Sequence, residues 1–214
     1  MVRLASLAGL MVLALLIAAT GGWAALMLSV SGPGGDSART ALAGVAGMVT
    51  LVVIATLILN RWRLAAVSLW LLVLAGALAW WFAMKPSNDR DWLPNVARTP
   101  WATMEGDIVT LHNVRNFSYR TETDFTPAWY DKTYDLRKLE GIDIVASYWM
   151  GPDIAHVFVS FAFAGGEHLA MSIETRTEKG EGYSTIKGFF RQYELSYVVA
   201  DERDVIGLRT NSRR

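Results

Sequence analysis

The chain changes character at Lys85. The 84 residues before it carry five charged side chains: Arg3, Asp36, Arg39, Arg61 and Arg63. The residues after it carry nearly all the others, acids and bases interspersed. Average composition conceals this, because a net charge of +0 and 52% hydrophobic residues describe an ordinary globular protein. Divided at Lys85, the sequence predicts a membrane anchor (1–84), a linker and approach (85–104) and a water-soluble α+β domain (105–214).

Three stretches lack any charge: residues 4–30, 41–59 and 64–84. A helix needs about 20 apolar residues to cross a hydrocarbon core of about 30 Å. A central Arg or Asp would cost about 2.5 to 3.5 kcal/mol, and none is present. Three transmembrane helices are therefore expected. Small residues cluster around Ala18 to Ala25, as at a signal-peptide cleavage site, but the apolar run is long and two more follow it. Ser31-Gly32-Pro33-Gly34-Gly35-Asp36 breaks the first two helices apart. Asn60-Arg61-Trp62-Arg63 forces a tight hairpin between the second and third, and its arginines place it on the cytoplasmic side with Arg3. Trp80 and Trp81 fall where an outer aromatic belt is expected. The small residues from Gly44 to Met48 are read as a close helix contact. The spans hold isolated hydroxyls but no ionisable relay, which favours an anchor over a transporter.

Beyond a polar linker at 86–91, strand patterns dominate. Residues 107–112 and 117–120 alternate polar and apolar, and 142–149 and 194–199 are further strand candidates. Residues 156–163 are apolar on both faces, predicting a central strand covered on both sides. Short helices are expected at 136–140 and 184–192. The result is an α+β domain with a central antiparallel sheet. With no cysteine, neither a disulfide nor a thiol nucleophile exists within these residues. No P-loop or dinucleotide fingerprint is present. The three histidines, His112, His156 and His168, are scattered, so no metal or other cofactor is expected. No basic stripe exists to hold nucleic acid.

His156 opens an apolar strand and is a candidate general base; the competing reading is a capping or structural histidine. With a hairpin turn at Gly165-Gly166-Glu167, Ser172 would pair with Ser160 and Glu174 with Phe158. Glu174 then shares a face with His156 and can orient its ring, or instead pairs with Arg176. A two-residue turn would put the two on opposite faces. His168 is read as rim, and residues 178–182 as a solvated loop. Asn113 and Arg176 are candidate substrate-binding neighbours, since polar groups beside a buried strand must find a partner or a ligand.

Several phrases resemble the bacterial Lnb N-terminal periplasmic domain family, associated with lipoprotein N-acyl transfer. They are His112-Asn113-Val114-Arg115-Asn116-Phe117-Ser118-Tyr119-Arg120, Ala155-His156-Val157-Phe158-Val159-Ser160-Phe161, Ser172-Ile173-Glu174-Thr175-Arg176 and Gly188-Phe189-Phe190-Arg191-Gln192-Tyr193-Glu194-Leu195, with Asp201-Glu202-Arg203-Asp204 after them. The family is distantly similar to circularly permuted papain-like enzymes, so an incomplete papain-like sheet is implied. The resemblance implies that His156 is catalytic and that a cysteine nucleophile follows on a later helix; nothing here matches that cysteine. A truncated form or a non-catalytic relative is therefore expected. The implied function is a cysteine–histidine acyltransferase-like domain, anchored in a bacterial inner membrane and facing the periplasm, acting on a membrane lipid or lipoprotein. A binding or scaffolding module and a hydrolase of the same fold are the alternatives.

Overall fold

The computed structural model describes residues 2–59, 62–121, 124–148 and 151–207. It divides into two compact units, residues 1–86 with 183–192 and residues 87–182 with 193–214.

The first unit is built on three helices: α1 (Val2–Ser31), α2 (Asp36–Ile58) and α3 (Arg63–Ala83). Each is long and apolar enough to cross a membrane, and only 11 to 22% of each apolar window is buried by protein. Leucines and valines cover the remaining circumference, the pattern of helices solvated by lipid. Ile17, Val53, Leu57 and Ala66 form one contact among the three. The closest approach lies at Gly21, where a Cβ would fall 2.2 Å from Thr50 Oγ1. Gly44 and Gly47 face open space. Of residues 44–48 Ala46 alone is buried, and the residue that meets Gly21 of α1 is Thr50, one turn farther along α2. Thr50 spends its hydroxyl on the Ala46 carbonyl at 2.7 Å, so no polar group is left unpaired there. Trp80 Nε1 donates to the Ser31 carbonyl at 2.7 Å and ties the end of α3 to the end of α1. In the α2–α3 hairpin, Asn60 and Arg61 lie outside the described residues.

The second unit is a seven-stranded sheet. Its strands are β1 (Trp101–Glu105), β2 (Ile108–Arg115), β5 (Trp129–Asp135), β6 (Leu139–Tyr148), β7 (Ala155–Phe163), β8 (Glu167–Arg176) and β9 (Glu194–Ala200). A small separate ribbon pairs β3 (Ser118–Tyr119) with β4 (Phe125–Thr126). The order is β1-β2-β9-β8-β7-β6, with β5 also on β2. Every pairing is antiparallel except β2 with β9, which meet in parallel at Arg115 and Ala200. Helix α4 (Thr185–Phe189) falls in the first unit, and α5 (Glu202–Val205) follows β9.

Two expectations need correction. Residues 136–140 form only a 3₁₀ turn at Leu136–Lys138, and β6 begins at Leu139. The extended chain gains nine paired positions on β7, which one helical turn cannot offer. Strand β7 is one place from the sheet edge rather than central, and it is covered on both sides only along its later part, where Phe158 and Ser160 are buried on one face and Phe163 on the other. Its Val157 is exposed, as are Ile144, Ile173 and Tyr197 on the same face. The opposite face near Phe158, Ala170 and Val198 is covered by Val205 of α5. Farther along the sheet, Val114, Tyr134, Phe163, Leu169 and Val199 make the other core.

Tyr134 is buried there, and among the described residues its hydroxyl has no hydrogen-bond partner. Burial, with the charges of Asp201 and Glu167, pushes the phenol up to about 12. A raised folded value means that stability is complete below the ordinary phenol range near 10 and is lost as pH climbs toward 12. Tyr134→Phe should therefore leave stability near pH 7 within about 1 kcal/mol, since no hydrogen bond is lost. The alkaline unfolding midpoint should move upward, read from circular dichroism across pH 9 to 12.

Candidate functional site

The β7–β8 hairpin sets the site. Phe163 pairs with Glu167, Ser160 with Ala170 and Phe158 with Ser172. Residues 164–166 form the loop, with Gly165 (φ +89°) and Gly166 (φ +77°) in the left-handed region that glycine occupies without penalty. The expected turn at 165–167 is thus displaced by one residue, and the pairing shifts by two. A shift of two preserves faces. It brings Glu174 directly opposite His156 instead of diagonal to it.

His156 Nε2 lies 2.6 Å from Ser172 Oγ and 3.3 Å from Glu174 Oε1. Ser172 Oγ donates to Glu174 Oε1 at 3.0 Å. A hydroxyl has one proton, and the ionised carboxylate can only accept. If the serine proton goes to Glu174, Nε2 must carry a hydrogen and donate to the serine oxygen. The neutral ring then has its lone pair on Nδ1. A catalytic serine would need the histidine between itself and the carboxylate, on opposite ring nitrogens. Here both partners approach the same nitrogen, and Ser172 is 2% exposed. Ser172 is therefore a relay that fixes the ring, and not a nucleophile. The His156 side chain is 21% exposed and rests against the Phe158 ring at 4.5 Å.

The polar row continues across the sheet on one face. Ser147 pairs with His156, and Glu174 pairs with Ser196. The Ser196 hydroxyl is buried with no partner among the described residues. Ser172 does not stand out in the sequence as a partner of His156, nor Ser196 as a neighbour of Glu174. The available signal was their spacing: Ser172 and Glu174 are two apart on one strand and so share a face. Ser160, fully buried, donates to Glu202 of α5 and is closed to solvent.

The two suggested substrate-binding residues lie elsewhere in the hydrogen-bond pattern. Arg176 is buried and gives Nε to the Val96 carbonyl, Nη1 to Ser87 and Asn88, and Nη2 to the Ala97 carbonyl. It also stacks on Trp92 at 4.3 Å. This guanidinium fastens residues 87–97 to the sheet, and its desolvation lowers its basicity. Asn113 sits in a β-bulge of β2 at φ 61°, with Nδ2 on the Thr99 carbonyl. Three strand spacings separate β2 from β7, roughly 14 Å, so Asn113 is not beside His156. Near it, His112 Nδ1 meets Asp131 at 2.7 Å while its ring stacks on Trp101 at 3.7 Å. The hydrogen bond from His112 holds the Asp131 carboxyl below the usual range. Among the described residues, no three or more His, Cys, Asp or Glu side chains gather as a metal site.

The fold and site define a membrane-anchored sheet domain whose most chemically capable group is a carboxylate-oriented histidine. Residues 125–214 match the family model of the Lnb N-terminal periplasmic domain, the family that the sequence phrases resemble. No curated protein and no solved structure gives a significant match.

The tautomer is directly measurable. Long-range ¹H–¹⁵N spectra of the neutral His156 ring should show a protonated Nε2 and a bare Nδ1. Ser172→Ala should weaken that preference. A protonated Nδ1 in the parent protein would contradict the relay.

Proposed function

We propose that this chain is the membrane-anchored part of an acyl-transferring site in which His156 serves as general base through Nδ1. The anchor lies in a bacterial inner membrane with the sheet domain in the periplasm, as the arginines of the α2–α3 hairpin favour. The observation that carries the reading is the His156–Ser172–Glu174 arrangement, which leaves Nδ1 as the ring's acceptor. The match over residues 125–214 supports the same class. The thiol is not among these 214 residues, which contain no cysteine.

In this scheme Nδ1 takes the proton of a thiol, and the thiolate attacks the ester carbonyl of a membrane phospholipid or lipoprotein. The tetrahedral intermediate expels an alkoxide, which recovers the proton from the imidazolium. Glu174, acting through Ser172, stabilises the transient cation. The acyl donor resides in the bilayer, and an apolar groove of about 590 Å³ in the anchor, lined by Leu28, Val45, Val73, Ala77 and Trp80, suits an acyl chain.

The test supplies the missing group. Chain in phospholipid nanodiscs is incubated with a small thiol such as N-acetylcysteamine, and thioester and lysophospholipid are quantified together. Equimolar formation above the protein-free rate is expected. The absence of cysteine favours a second reading, a binding or scaffolding module, which predicts no such product.

A further inference from the structure

The segment 183–192 belongs in sequence to the water-soluble half, yet it forms part of the compact unit built on the three apolar helices. Its seating there is specific. Phe190 is 6% exposed and packs in one cluster with Ala24, Met27 and Ala77 of α1 and α3. Arg191 donates Nη1 to the Trp81 carbonyl at 2.9 Å, and its guanidinium stacks over the Trp81 ring at 4.1 Å. Trp81 in turn meets Trp23 edge-on at 5.5 Å. The segment is therefore held at the tryptophan-rich ends of α1 and α3, the depth at which aromatic side chains mark a membrane–water interface.

With Phe190 turned inward, three large side chains remain outward. Tyr183, Ile186 and Phe189 are 66, 67 and 68% exposed, and they recur every third residue. Lys187, also exposed, lies among them. A Tyr, an Ile and a Phe exposed together on so short a segment make an apolar patch that water disfavours. Lysine can bury its stem in such a patch and lift its charge to the headgroups. We propose that residues 183–190 are an interfacial membrane segment, with Tyr183, Ile186 and Phe189 embedded at the headgroup–acyl boundary of the leaflet that holds the ends of α1 and α3. The occupant of the patch is lipid because its seat is already a surface of lipid-solvated helices. An amphipathic element of this composition lies in the interface plane rather than crossing the bilayer.

The chain has no cysteine, so single cysteines carry a nitroxide without competing sites. Ile186→Cys and Phe189→Cys replace exposed side chains and leave the inward Phe190 in place. The full chain is labelled in nanodiscs of phosphatidylethanolamine and phosphatidylglycerol, and collision rates with oxygen and with a nickel chelate are compared. Leu16→Cys on α1 is the hydrocarbon reference, and Asp107→Cys in the β1–β2 turn is the aqueous one. Labels at 186 and 189 should show an oxygen-to-nickel ratio several-fold above that at 107 and below that at 16. A ratio equal to that at 107 places the segment in water and overturns the proposal. Low collision with both reagents means that protein covers the patch, whether a partner or a second copy, and overturns it equally.

Discussion

Asp204→Ala should cost the sheet domain about 3 to 5 kcal/mol, the range for breaking a buried ion pair by removing one member. Asp204 is fully buried and its two oxygens accept four hydrogen bonds. Three come from Arg115: its single Nε–H is shared between both oxygens at 3.0 and 3.1 Å, and Nη2 donates at 2.8 Å. The fourth comes from the Phe117 backbone N–H at 2.7 Å. Removing the carboxylate leaves the buried Arg115 guanidinium with the Asn95 carbonyl as its remaining hydrogen-bond acceptor among the described residues, and an unpaired backbone donor beside it. The pair also joins distant parts of the chain, locking α5 against the end of β2, where Arg115 meets β9. For a domain of this size the loss corresponds to a melting temperature lower by about 10 °C or more. The double variant Arg115→Met with Asp204→Leu should be less damaged than either single change, because it strands no charge. Thermal denaturation of the parent, Asp204→Ala, the two single variants Arg115→Met and Asp204→Leu, and the double variant checks this; a harmless Asp204→Ala would mean that the pair is not formed.

The parts of this molecule that were legible in the sequence follow from patterns that tolerate small errors. Three uncharged runs of 19 to 27 residues predict helices whatever their ends, and the helices α1, α2 and α3 differ from those runs by a few residues. His156 and Glu174 share a face for the same reason. The turn was misplaced by one residue, the pairing moved by two, and a strand repeats its faces every two. What the pattern could not supply was which groups touch. Ser172 is expected opposite Ser160, but it pairs with Phe158 and meets His156 in the structure. Arg176 reads as a substrate-binding neighbour or as the ion-pair partner of Glu174, but its hydrogen-bond partners lie some 80 to 90 residues earlier in the chain and its carboxylate neighbour is Glu194. Strand β5, Trp129–Asp135, was missed because its charged and aromatic residues hide a half-buried ribbon. Residues 183–192 read as an ordinary short helix, since nothing local says that Phe190 packs against residues more than a hundred positions away.

The largest functional effect is expected at His156. A positioned general base contributes roughly 10²- to 10⁴-fold to rate. His156→Ala should reduce thioester formation from a supplied thiol by at least about a hundredfold. The side chain is partly exposed and its known partners, Ser172 and Glu174, keep their own hydrogen bond after its removal. The melting temperature should therefore change little. Ser172→Ala should give an intermediate loss, since the base remains but its orienting relay is cut. The decisive measurement pairs the two readouts on one protein preparation: initial rate of thioester formation in nanodiscs, and melting temperature, for the parent chain and His156→Ala. The account predicts a loss of about a hundredfold or more with an unchanged melting temperature. An equal rate in the two proteins, or a loss explained by a matching fall in stability, would contradict it.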